Sequence, residues 1–467
     1  MYNSVISCVK TKGGLTPSFN IWQGVKQGEV LSPNLFNLYL HDLPKALDIN
    51  DVNNNLVIEN ETVNCLLYAD DLVLLSKTRD GLQNKLSNLN KYCKEWALEV
   101  NLSKTKVLIF NKGGKHIVRD LFLGNTRIEC VCSYKYLGLD MSSSGKFKLA
   151  CQNLMLRARR AMFKLKSFID PMHVEPRVAM HLFNSLIKPI ATYCSEVWAV
   201  DLYHASSLTF YDKILKFEAE KVQLSFARAT LGVHKKITSA AVYGELGQFP
   251  LAIYAIKNCI KYNTHIANLT YENLLTKSLL WISKLDNETW LSKLKGICNI
   301  IGSDIKCDHN TVVSSLFVFF RSQWCNFITR PEGKLRTYSL FKSQFSYENY
   351  LSDVKNPLHR KALTRLRTSC HRLMIERGRY TRPPTKVEDR LCVKCGVTED
   401  EVHFLTQCSH FLQERKSLFE TVTKNSCNFN NLSDVDKMIF LLSSEGDIIR
   451  AVGKFCYIAF EARQLVT

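Results

Sequence analysis

The stretch Leu66-Leu67-Tyr68-Ala69-Asp70-Asp71-Leu72-Val73-Leu74-Leu75 places two adjacent carboxylates between two short apolar runs. Each run is too short for a stable helix and is rich in Leu, Val and Tyr, which is typical of buried strands. The sequence therefore predicts a β-hairpin of residues 63–69 and 72–77 with Asp70 and Asp71 at its bend. An acidic turn is by itself an ordinary surface feature. In an otherwise apolar hairpin, however, it offers the oxygen ligands that Mg²⁺ takes together with substrate phosphates.

A glycine-flanked loop that leads into a helix lies upstream, in the segment Gly24-Val25-Lys26-Gln27-Gly28-Glu29-Val30-Leu31-Ser32-Pro33-Asn34-Leu35-Phe36-Asn37-Leu38-Tyr39-Leu40. We expect Ser32 to cap this helix and Pro33 to occupy its first position. Gly24 and Gly28 allow the backbone to approach a ligand closely. The apolar face of the helix is expected to consist of Leu35, Phe36, Leu38, Tyr39 and Leu43.

Two further segments have clear helical periodicity. Residues 80–97 carry apolar side chains at helical spacing, which predicts a helix with one face in the core. Residues 151–168 combine such a stripe with five basic residues: Arg157, Arg159, Arg160, Lys164 and Lys166. That second helix has two interpretations, a thumb-like element that lies against a duplex backbone or an ordinary helix with a solvated basic face.

The loop and helix, followed by Tyr-Ala-Asp-Asp, resemble the palm of reverse transcriptases from non-LTR (LINE-type, jockey-like) retrotransposons. Residues 22–35 resemble the family's Gly-Val-Arg-Gln-Gly-Asp/Cys-Pro-Leu-Ser-Pro segment, from which Lys26, Glu29 and Val30 depart. Residues 101–110 resemble the next palm motif, and residues 134–138 resemble the primer grip. The segment 231–250, which contains Glu245-Leu246-Gly247-Gln248-Phe249-Pro250, resembles the helical region that follows the polymerase.

The resemblance implies an RNA-directed DNA polymerase that acts by two-metal nucleotidyl transfer on an RNA template, a DNA primer or target, and dNTPs. It assigns Asp70 and Asp71 as catalytic Mg²⁺ ligands and places Tyr68 near the primer end. It places Gln27 and Gly28 near template and nucleotide. Lys104 or Lys106 would neutralise or protonate the leaving pyrophosphate.

One feature of the sequence departs from this assignment. Polymerases of this type use a carboxylate from an earlier strand together with the hairpin acids, and no Asp or Glu precedes Glu29. The resemblance therefore implies an N-terminally truncated copy whose two-metal site is incomplete and which is inactive by itself. Two other interpretations stay open: a catalytically inactive remnant that binds nucleic acid, and an untranslated or unstable product without function.

A second motif lies near the C-terminus, where Cys392, Cys395, His403 and Cys408 have the spacing C-x₂-C-x₇-H-x₄-C. Three thiols and one imidazole match a structural Zn²⁺ site, which takes four N or S ligands. His410 is an alternative fourth ligand in place of Cys408. The same motif occurs near the C-terminus of the retrotransposon proteins that the chain resembles, usually behind an arginine-rich segment.

Such a segment precedes the motif here. Residues 359–390 contain ten Lys or Arg and three Asp or Glu. A charge run is usually a solvated face, but its place beside a zinc knuckle favours contact with nucleic acid. The candidate contacts are Arg365, Arg367, Arg377 and Arg379.

Composition agrees with this interpretation. The chain has 467 residues and a net charge of +19, which favours polyanionic partners. Its 17 cysteines lack a small-domain disulfide pattern, which favours a reducing compartment, nuclear and cytoplasmic, and the sequence has neither a membrane span nor a signal peptide. The fold class expected is α+β: a partial palm (1–140), a thumb-like helical domain (141–250), a helical linker (251–358), and the basic segment with the zinc knuckle (359–467).

Overall fold

The computed structural model describes residues 5–21, 24–26, 28–47, 54–203, 206–285, 288–330 and 333–464. The chain forms two compact units. The first comprises Met1–Lys146 with Thr270–Lys284, and the second comprises Phe147–Leu269 with Leu285–Thr467. The regions that the sequence predicts after residue 140 therefore lie largely within one unit. The fold is of the α+β class, with small sheets in the first unit and helices throughout the second.

The strands of the first unit are short. They are β1 Val5–Ser7, β2 Lys10–Thr11, β3 Gly14–Leu15, β4 Phe19–Ile21, β5 Leu56–Ile58, β6 Glu61–Val63, β7 Cys65–Tyr68, β8 Asp71–Leu74, β9 Lys106–Leu108, β10 Phe122–Leu123, β11 Thr126–Arg127, β12 Glu129–Val131, β13 Ser133–Tyr136 and β14 Leu139–Ser142. They pair in twos: β1 with β4, β2 with β3, β5 with β6, β7 with β8, β9 with β12, β10 with β11, and β13 with β14. The β9–β12 pair is parallel and the others are antiparallel.

The first unit also contains helices. They are α1 Ser32–Tyr39, α2 Leu43–Leu47, α3 Arg79–Glu95 and, from later in the chain, α12 Leu274–Ser283. Helix α3 confirms the helix predicted at 80–97. Thr78 caps it by accepting a hydrogen bond from the Gly81 N–H. Leu86, Leu89 and Tyr92 of α3 are buried in the core of this unit.

The second unit is helical. Its helices are α4 Lys148–Phe168, α5 Pro176–Leu186, α6 Lys188–Ala191, α7 Ser195–Trp198, α8 Ser207–Lys216, α9 Glu218–Leu231, α10 Ser239–Leu246, α11 Leu251–Ala267, α13 Trp290–Ile300, α14 His309–Ile328, α15 Tyr338–Phe341, α16 Tyr350–Asp353, α17 Pro357–Arg367, α18 Met374–Arg377, α19 Leu412–Asn425, α20 Asp434–Ser443 and α21 Gly446–Gln464. A single π-helical turn spans His403–Gln407.

Helix α4 confirms the helix predicted at 151–168. It buries Leu154, Met155, Ala158, Met162 and Leu165, and it leaves Arg157, Arg160 and Lys164 exposed. Across the described part of the chain, no helix has both the length and the apolar character that a membrane crossing requires.

Candidate catalytic hairpin and candidate metal centre

The acidic pair lies at the tip of an antiparallel hairpin, as the sequence predicts. Strands β7 and β8 pair Tyr68 with Asp71, Leu67 with Leu72, and Cys65 with Leu74, so that the connection consists of Ala69 and Asp70. Ala69 adopts a left-handed conformation with φ of +53°, which the tight reversal requires. The predicted hairpin is confirmed, with Asp70 in its two-residue bend and Asp71 as the first residue of β8.

One face of the hairpin rests on the core of the unit. Cys65, Leu72 and Leu74 pack against the buried cluster that contains α3. Below the hairpin, the buried amine of Lys85 donates hydrogen bonds to Asn64 Oδ1 and to the carbonyl of Leu75, directly after β8. Helix α3 therefore fixes the base of the hairpin through both apolar packing and a buried cation.

The expectation that the hairpin strands are buried is wrong for the outer part of β7. Leu66 is 40% exposed, Leu67 39% and Tyr68 64%. The reason is topological, because β7 and β8 form a two-stranded sheet among the described residues and no third strand covers them. The acidic tip therefore stands in solvent.

Tyr136 is the residue near the acidic pair that the sequence analysis did not single out. It ends β13, inside the segment that resembles the primer grip. Its pKa is raised, first by desolvation and then by the negative charge of Asp71. Among the described residues, Asp70 and Asp71 do not belong to any cluster of three or more potential metal ligands. The hairpin thus supplies two adjacent carboxylates with tyrosines beside them.

The loop before α1 differs from expectation at its cap. Helix α1 begins at Ser32, and Leu31 is its N-cap without a side-chain hydrogen bond. Ser32 is buried and donates instead to the carbonyl of Lys26 at 2.6 Å, which ties the loop to the helix. The prediction that Ser32 is the N-cap is therefore wrong. Gly28 has φ of +85°, and Gln27 lies outside the described residues.

The apolar face expected on α1 is also only partly buried. Leu43, in α2, is buried as expected. Leu35 is 39% exposed, Leu38 67% and Tyr39 39%. The helix is covered on one side only among the residues that the structure describes, so the expectation fails for these three side chains.

The two candidate lysines have different surroundings. Lys104 is exposed in the turn before β9. Lys106 lies within β9 and pairs with Glu129 of β12 at 2.7 Å. The hydrogen bond and charge of Lys106 lower the pKa of Glu129. Lys104 is therefore the better placed of the two to meet a ligand.

The C-terminal Cys and His residues converge as the motif predicts. The potential ligand atoms of Cys392, Cys395, His403 and Cys408 all lie within 4.8 Å of one another. Cys408 Sγ lies 3.9 Å from the Sγ atoms of both Cys392 and Cys395. Two thiolates bound to tetrahedral zinc at about 2.3 Å lie about 3.8 Å apart. His410 packs against Phe411 and is outside the cluster.

The local backbone forms a tight knuckle around this cluster. The Gly396 N–H donates to the Cys392 carbonyl at 2.9 Å, and Gly396 has φ of +67°. The Cys392 N–H donates to the Val397 carbonyl at 2.7 Å. On the other side, the π-helical turn ends with the Cys408 N–H donating to the His403 carbonyl at 2.8 Å. The turn therefore brings His403 and Cys408 to the same side.

The donor set fits a metal on a further observation. His403 is 4% exposed, and both of its ring nitrogens are buried without a hydrogen-bond partner among the described residues. A buried imidazole with no partner is costly unless a ligand satisfies it. Burial raises the pKa of Cys408 to about 12, whereas a hydrogen bond from Ser409 lowers the pKa of Cys395.

The basic segment before the knuckle divides into buried and exposed cations. Arg360, Arg367 and Arg390 are buried. Arg367 in particular is 1% exposed and pairs with Glu245 at 3.1 Å, while its guanidinium also contacts Glu348. The prediction that Arg367 contacts nucleic acid is therefore corrected, because its charge is already neutralised inside the unit.

The other three candidate arginines differ in exposure. Arg377 is exposed, and Arg365 is half-buried. Arg379 is half-buried and lies 3.2 Å from the buried carboxylate of Glu376. The exposed cations of the segment are Arg372, Arg377, Arg382 and Lys386, which we call the basic surface. Arg372, Arg382 and Lys386 are among the ten basic residues of this segment. The sequence alone does not distinguish them from the buried arginines.

Tyr380 adds an aromatic group next to the basic surface. Its ring is 53% exposed, and Lys236 Nζ lies 4.6 Å from the ring centroid. Lys334 Nζ lies 6.0 Å from the same centroid. Two lysines from distant parts of the chain thus join the cations of residues 372–386.

The acidic hairpin rests on α3 and is followed by further short strands, which agrees with the palm that the sequence resembles. Residues 2–141 match the family described as reverse transcriptase (RNA-dependent DNA polymerase). The relatives of this region are described as RNA-directed DNA polymerases and Pol polyproteins of mobile or retrotransposable elements, and residues 2–141 are similar to the reverse transcriptase domain of such elements.

Three relatives illustrate the match. The chain is 32% identical over 154 residues to a retrovirus-related Pol polyprotein from a type-1 retrotransposable element R2 of Nasonia vitripennis, covering 31% of this chain and 14% of the relative. It is 24% identical over 185 residues to the RNA-directed DNA polymerase from mobile element jockey of Drosophila melanogaster, covering 38% and 19%. It is 26% identical over 187 residues to a probable RNA-directed DNA polymerase from transposon BS of the same species, covering 38% of this chain and 20% of the relative. The match thus spans a fifth or less of each relative's length.

Proposed function

We propose that this chain takes part in RNA-directed DNA synthesis by a non-LTR retrotransposon. The observation that carries the proposal is the β7–β8 hairpin with Asp70 and Asp71 at its tip, inside a reverse transcriptase domain. The substrates would be an RNA template, a DNA primer or target, and dNTPs. The free thiols of all 17 cysteines, each within the described residues, support a reducing compartment, the nucleus and cytoplasm.

The roles of the residues follow from their positions. Asp70 and Asp71 would hold Mg²⁺, which when bound activates the primer hydroxyl and stabilises charge on the transferred phosphate. Tyr68, exposed directly opposite Asp71, would position the primer end. Gly28, with Gln27, would allow template and nucleotide close to the backbone. Lys104, exposed in its turn, would neutralise the leaving pyrophosphate.

The remaining two sites would bind a zinc ion and nucleic acid, respectively. The Cys392, Cys395, His403 and Cys408 cluster would bind a structural Zn²⁺ that fixes the knuckle. The basic surface, with Arg365 and Arg379 at its edge, would contact phosphates, and Tyr380 would stack on a base.

A second candidate function is binding of nucleic acid without polymerisation. It is favoured by one observation: no third carboxylate joins Asp70 and Asp71 in a ligand cluster within the described part of the chain. Two closely spaced metals need several carboxylates to offset their charge.

Metal-directed cleavage separates the two candidates. With Fe²⁺ in place of Mg²⁺, and with ascorbate, dissolved oxygen and a primer–template duplex present, metal held at the hairpin should reduce oxygen to radicals that cut the backbone near residues 70–71. Asp70→Ala and Asp71→Ala should abolish that cut, whereas Glu95→Ala, an exposed acid at the end of α3, should retain it. Duplex binding without any cut near the hairpin would favour the second candidate.

A further inference from the structure

A cleft beside α5 contains polar groups that the proposed function does not use. It has a volume of about 270 Å³ and is lined by Arg177, His181, Asn184, Gln248 and Tyr347, among others. All of these residues lie in the second compact unit. We call it the α5 cleft. Its volume is slightly below the range of about 300–1,000 Å³ that is typical of small-molecule pockets, so that it suits one nucleoside-sized group.

One wall of the α5 cleft is a polar stripe on a helix. Arg177, His181 and Asn184 follow one another at intervals of four and three residues along α5, which places them on one face. Arg177 and His181 are exposed, whereas Asn184 is half-buried. The stripe therefore runs from cationic groups at the rim to an amide farther in.

The opposite wall comes from the segment Glu245-Leu246-Gly247-Gln248, which the sequence analysis singled out. Glu245 is used structurally, because it is buried against Arg367. Gly247 is also structural: it has φ of +59°, and a Cβ there would lie 2.4 Å from the Tyr347 backbone nitrogen. Neither role accounts for Gln248, whose side chain lines the cleft.

Two amides meet inside the α5 cleft. Asn184 Nδ2 donates to Gln248 Oε1 at 3.1 Å. Asn184 Oδ1 is buried, and it has no hydrogen-bond partner among the described residues. A buried acceptor without a partner costs free energy that a ligand would recover. The pair thus combines an unsatisfied acceptor on Asn184 with the Nε2 donor of Gln248.

The rim of the cleft supplies a stacking surface. The Arg177 guanidinium lies 4.4 Å from the centroid of the Tyr347 ring. An arginine plane held on an aromatic ring is a platform on which a base can stack, and its charge attracts a phosphate. His181, one turn further along α5, adds a second group that can donate to a phosphate oxygen.

We propose that the α5 cleft binds one unpaired nucleotide of single-stranded RNA whose Watson–Crick edge carries an amino group beside a ring nitrogen that accepts, namely adenine or cytosine. The amino group would donate to Asn184 Oδ1 and the ring nitrogen would accept from Gln248 Nε2, in the manner of amide side chains that read base edges. Arg177 and His181 would hold the phosphate. This inference rests on the proposed function, since that supplies the RNA.

The experiment measures binding of the full chain to fluorescent A₁₂, C₁₂ and U₁₂ RNA at fixed salt. Wild type should bind A₁₂ and C₁₂ at least about fivefold more tightly than U₁₂, which lacks the amino group. Gln248→Glu keeps the acceptor for Asn184 Nδ2 but removes the donor, so the preference should fall to about onefold. Asn184→Ala should have the same effect. Asn326→Ala, an exposed amide on α14, should leave the preference intact.

The outcomes are distinguishable. Tight binding of all three RNAs by wild type without preference, or a preference that survives in folded Gln248→Glu and Asn184→Ala, would overturn the cleft assignment and leave the proposed function standing. A wild-type chain that binds none of the RNAs would instead overturn the proposed function. Thermal melts by circular dichroism confirm that each variant is folded before its binding is compared.

Discussion

The guanidinium of Arg367 lies against the carboxylate of Glu245, with Nε 3.1 Å from Oε2, and both side chains are at most 1% exposed. The same guanidinium lies 4.7 Å from the ring centroid of Phe341 and 4.6 Å from that of Tyr350. A cation chosen from the sequence as a nucleic-acid contact is thus the centre of a buried ion pair that joins α10 to α17.

Arg367→Met is therefore expected to destabilise the second unit. Removal of one member of a buried ion pair leaves the other charge uncompensated and costs about 3–5 kcal/mol. Urea denaturation followed by circular dichroism measures the change in the free energy of unfolding. Arg377→Ala, which removes an exposed arginine of the same segment, is the matched control and should have little effect. Equal stabilities of the two variants would contradict the buried-pair assignment.

Removal of the basic surface should weaken nucleic-acid binding without unfolding the chain. The variant with Arg372, Arg377, Arg382 and Lys386 changed to Ala should bind RNA of any sequence more weakly, because phosphate contacts carry little sequence information. The logarithm of the binding constant falls linearly with the logarithm of the salt concentration. Each lost phosphate contact should make this slope shallower by about 0.7 on single strands. Titrations at several salt concentrations measure the slope.

The control for this experiment carries the same loss of charge elsewhere. Lys261, Lys295, Lys306 and Lys424 are exposed and lie outside the basic surface. If their replacement by Ala makes the salt dependence of binding as shallow as in the first variant, net charge alone accounts for the effect. The basic surface is then not a binding site.

If the Cys392, Cys395, His403 and Cys408 cluster binds zinc, the protein should contain a fixed amount of the metal and should lose stability without it. Freshly prepared, reduced protein should contain about one zinc per chain, and Cys395→Ser should lose it and lower the melting temperature. Cys427→Ser removes an exposed cysteine outside the cluster and should retain the metal. Elemental analysis of the purified proteins measures the zinc content. Wild-type protein without zinc, or a Cys395→Ser variant with full zinc content, would contradict the assignment.

Local pattern was sufficient for several of these features. The Asp70–Asp71 hairpin and the α3 stripe depend on residues close together in sequence, and C-x₂-C-x₇-H-x₄-C fixes its ligands by spacing alone. Burial was not predictable in this way. The partner of Arg367 is 122 residues away, and nothing near Arg367 distinguishes it from the exposed Arg377. The α5 cleft similarly joins three distant segments.

The same limit applies to Ser32 and to the outer face of β7. A serine before a proline is a common N-cap, but Ser32 donates to Lys26 across a loop whose path the sequence does not fix. The apolar run Leu66-Leu67-Tyr68 indicates a strand, yet whether a strand is covered depends on neighbours that pair with it. Both errors therefore concern tertiary contacts and not secondary structure.

Glu220 should make stability depend on pH. It is fully buried, accepts from the Ala252 N–H at 2.8 Å and from the Tyr243 hydroxyl, and burial raises its pKa to about 7 despite these bonds. Between an unfolded pKa near 4.5 and this value, the folded chain binds a proton that the unfolded chain releases. The free energy of unfolding should therefore fall as pH rises through this range, by at most about 3 kcal/mol.

Glu220→Gln tests this dependence, because an amide stays neutral and can still accept from Ala252. Urea denaturation at pH 5, 6, 7 and 8 should show the variant gaining stability relative to wild type as pH rises. Glu420→Gln, an exposed glutamate of α19, should show no such trend. A difference between Glu220→Gln and wild type that is the same at every pH would refute the assignment.

The 467-residue chain by itself is expected to extend a primer on an RNA template poorly. Asp70 and Asp71 stand exposed at the hairpin tip, and within the described residues they have no third ligand to help hold two metals. Glu29 lies in the loop beside Gly28 and is a poor substitute, because that loop is expected to face template or nucleotide. The measurement is incorporation of labelled dNTPs with Mg²⁺, with the Asp70→Ala variant as the comparison.

Fusion to a palm strand that carries an aspartate, together with fingers, from a related reverse transcriptase should restore synthesis, and Asp70→Ala in that fusion should abolish it. Robust Asp70-dependent extension by the unfused chain would show that its own residues complete the metal site.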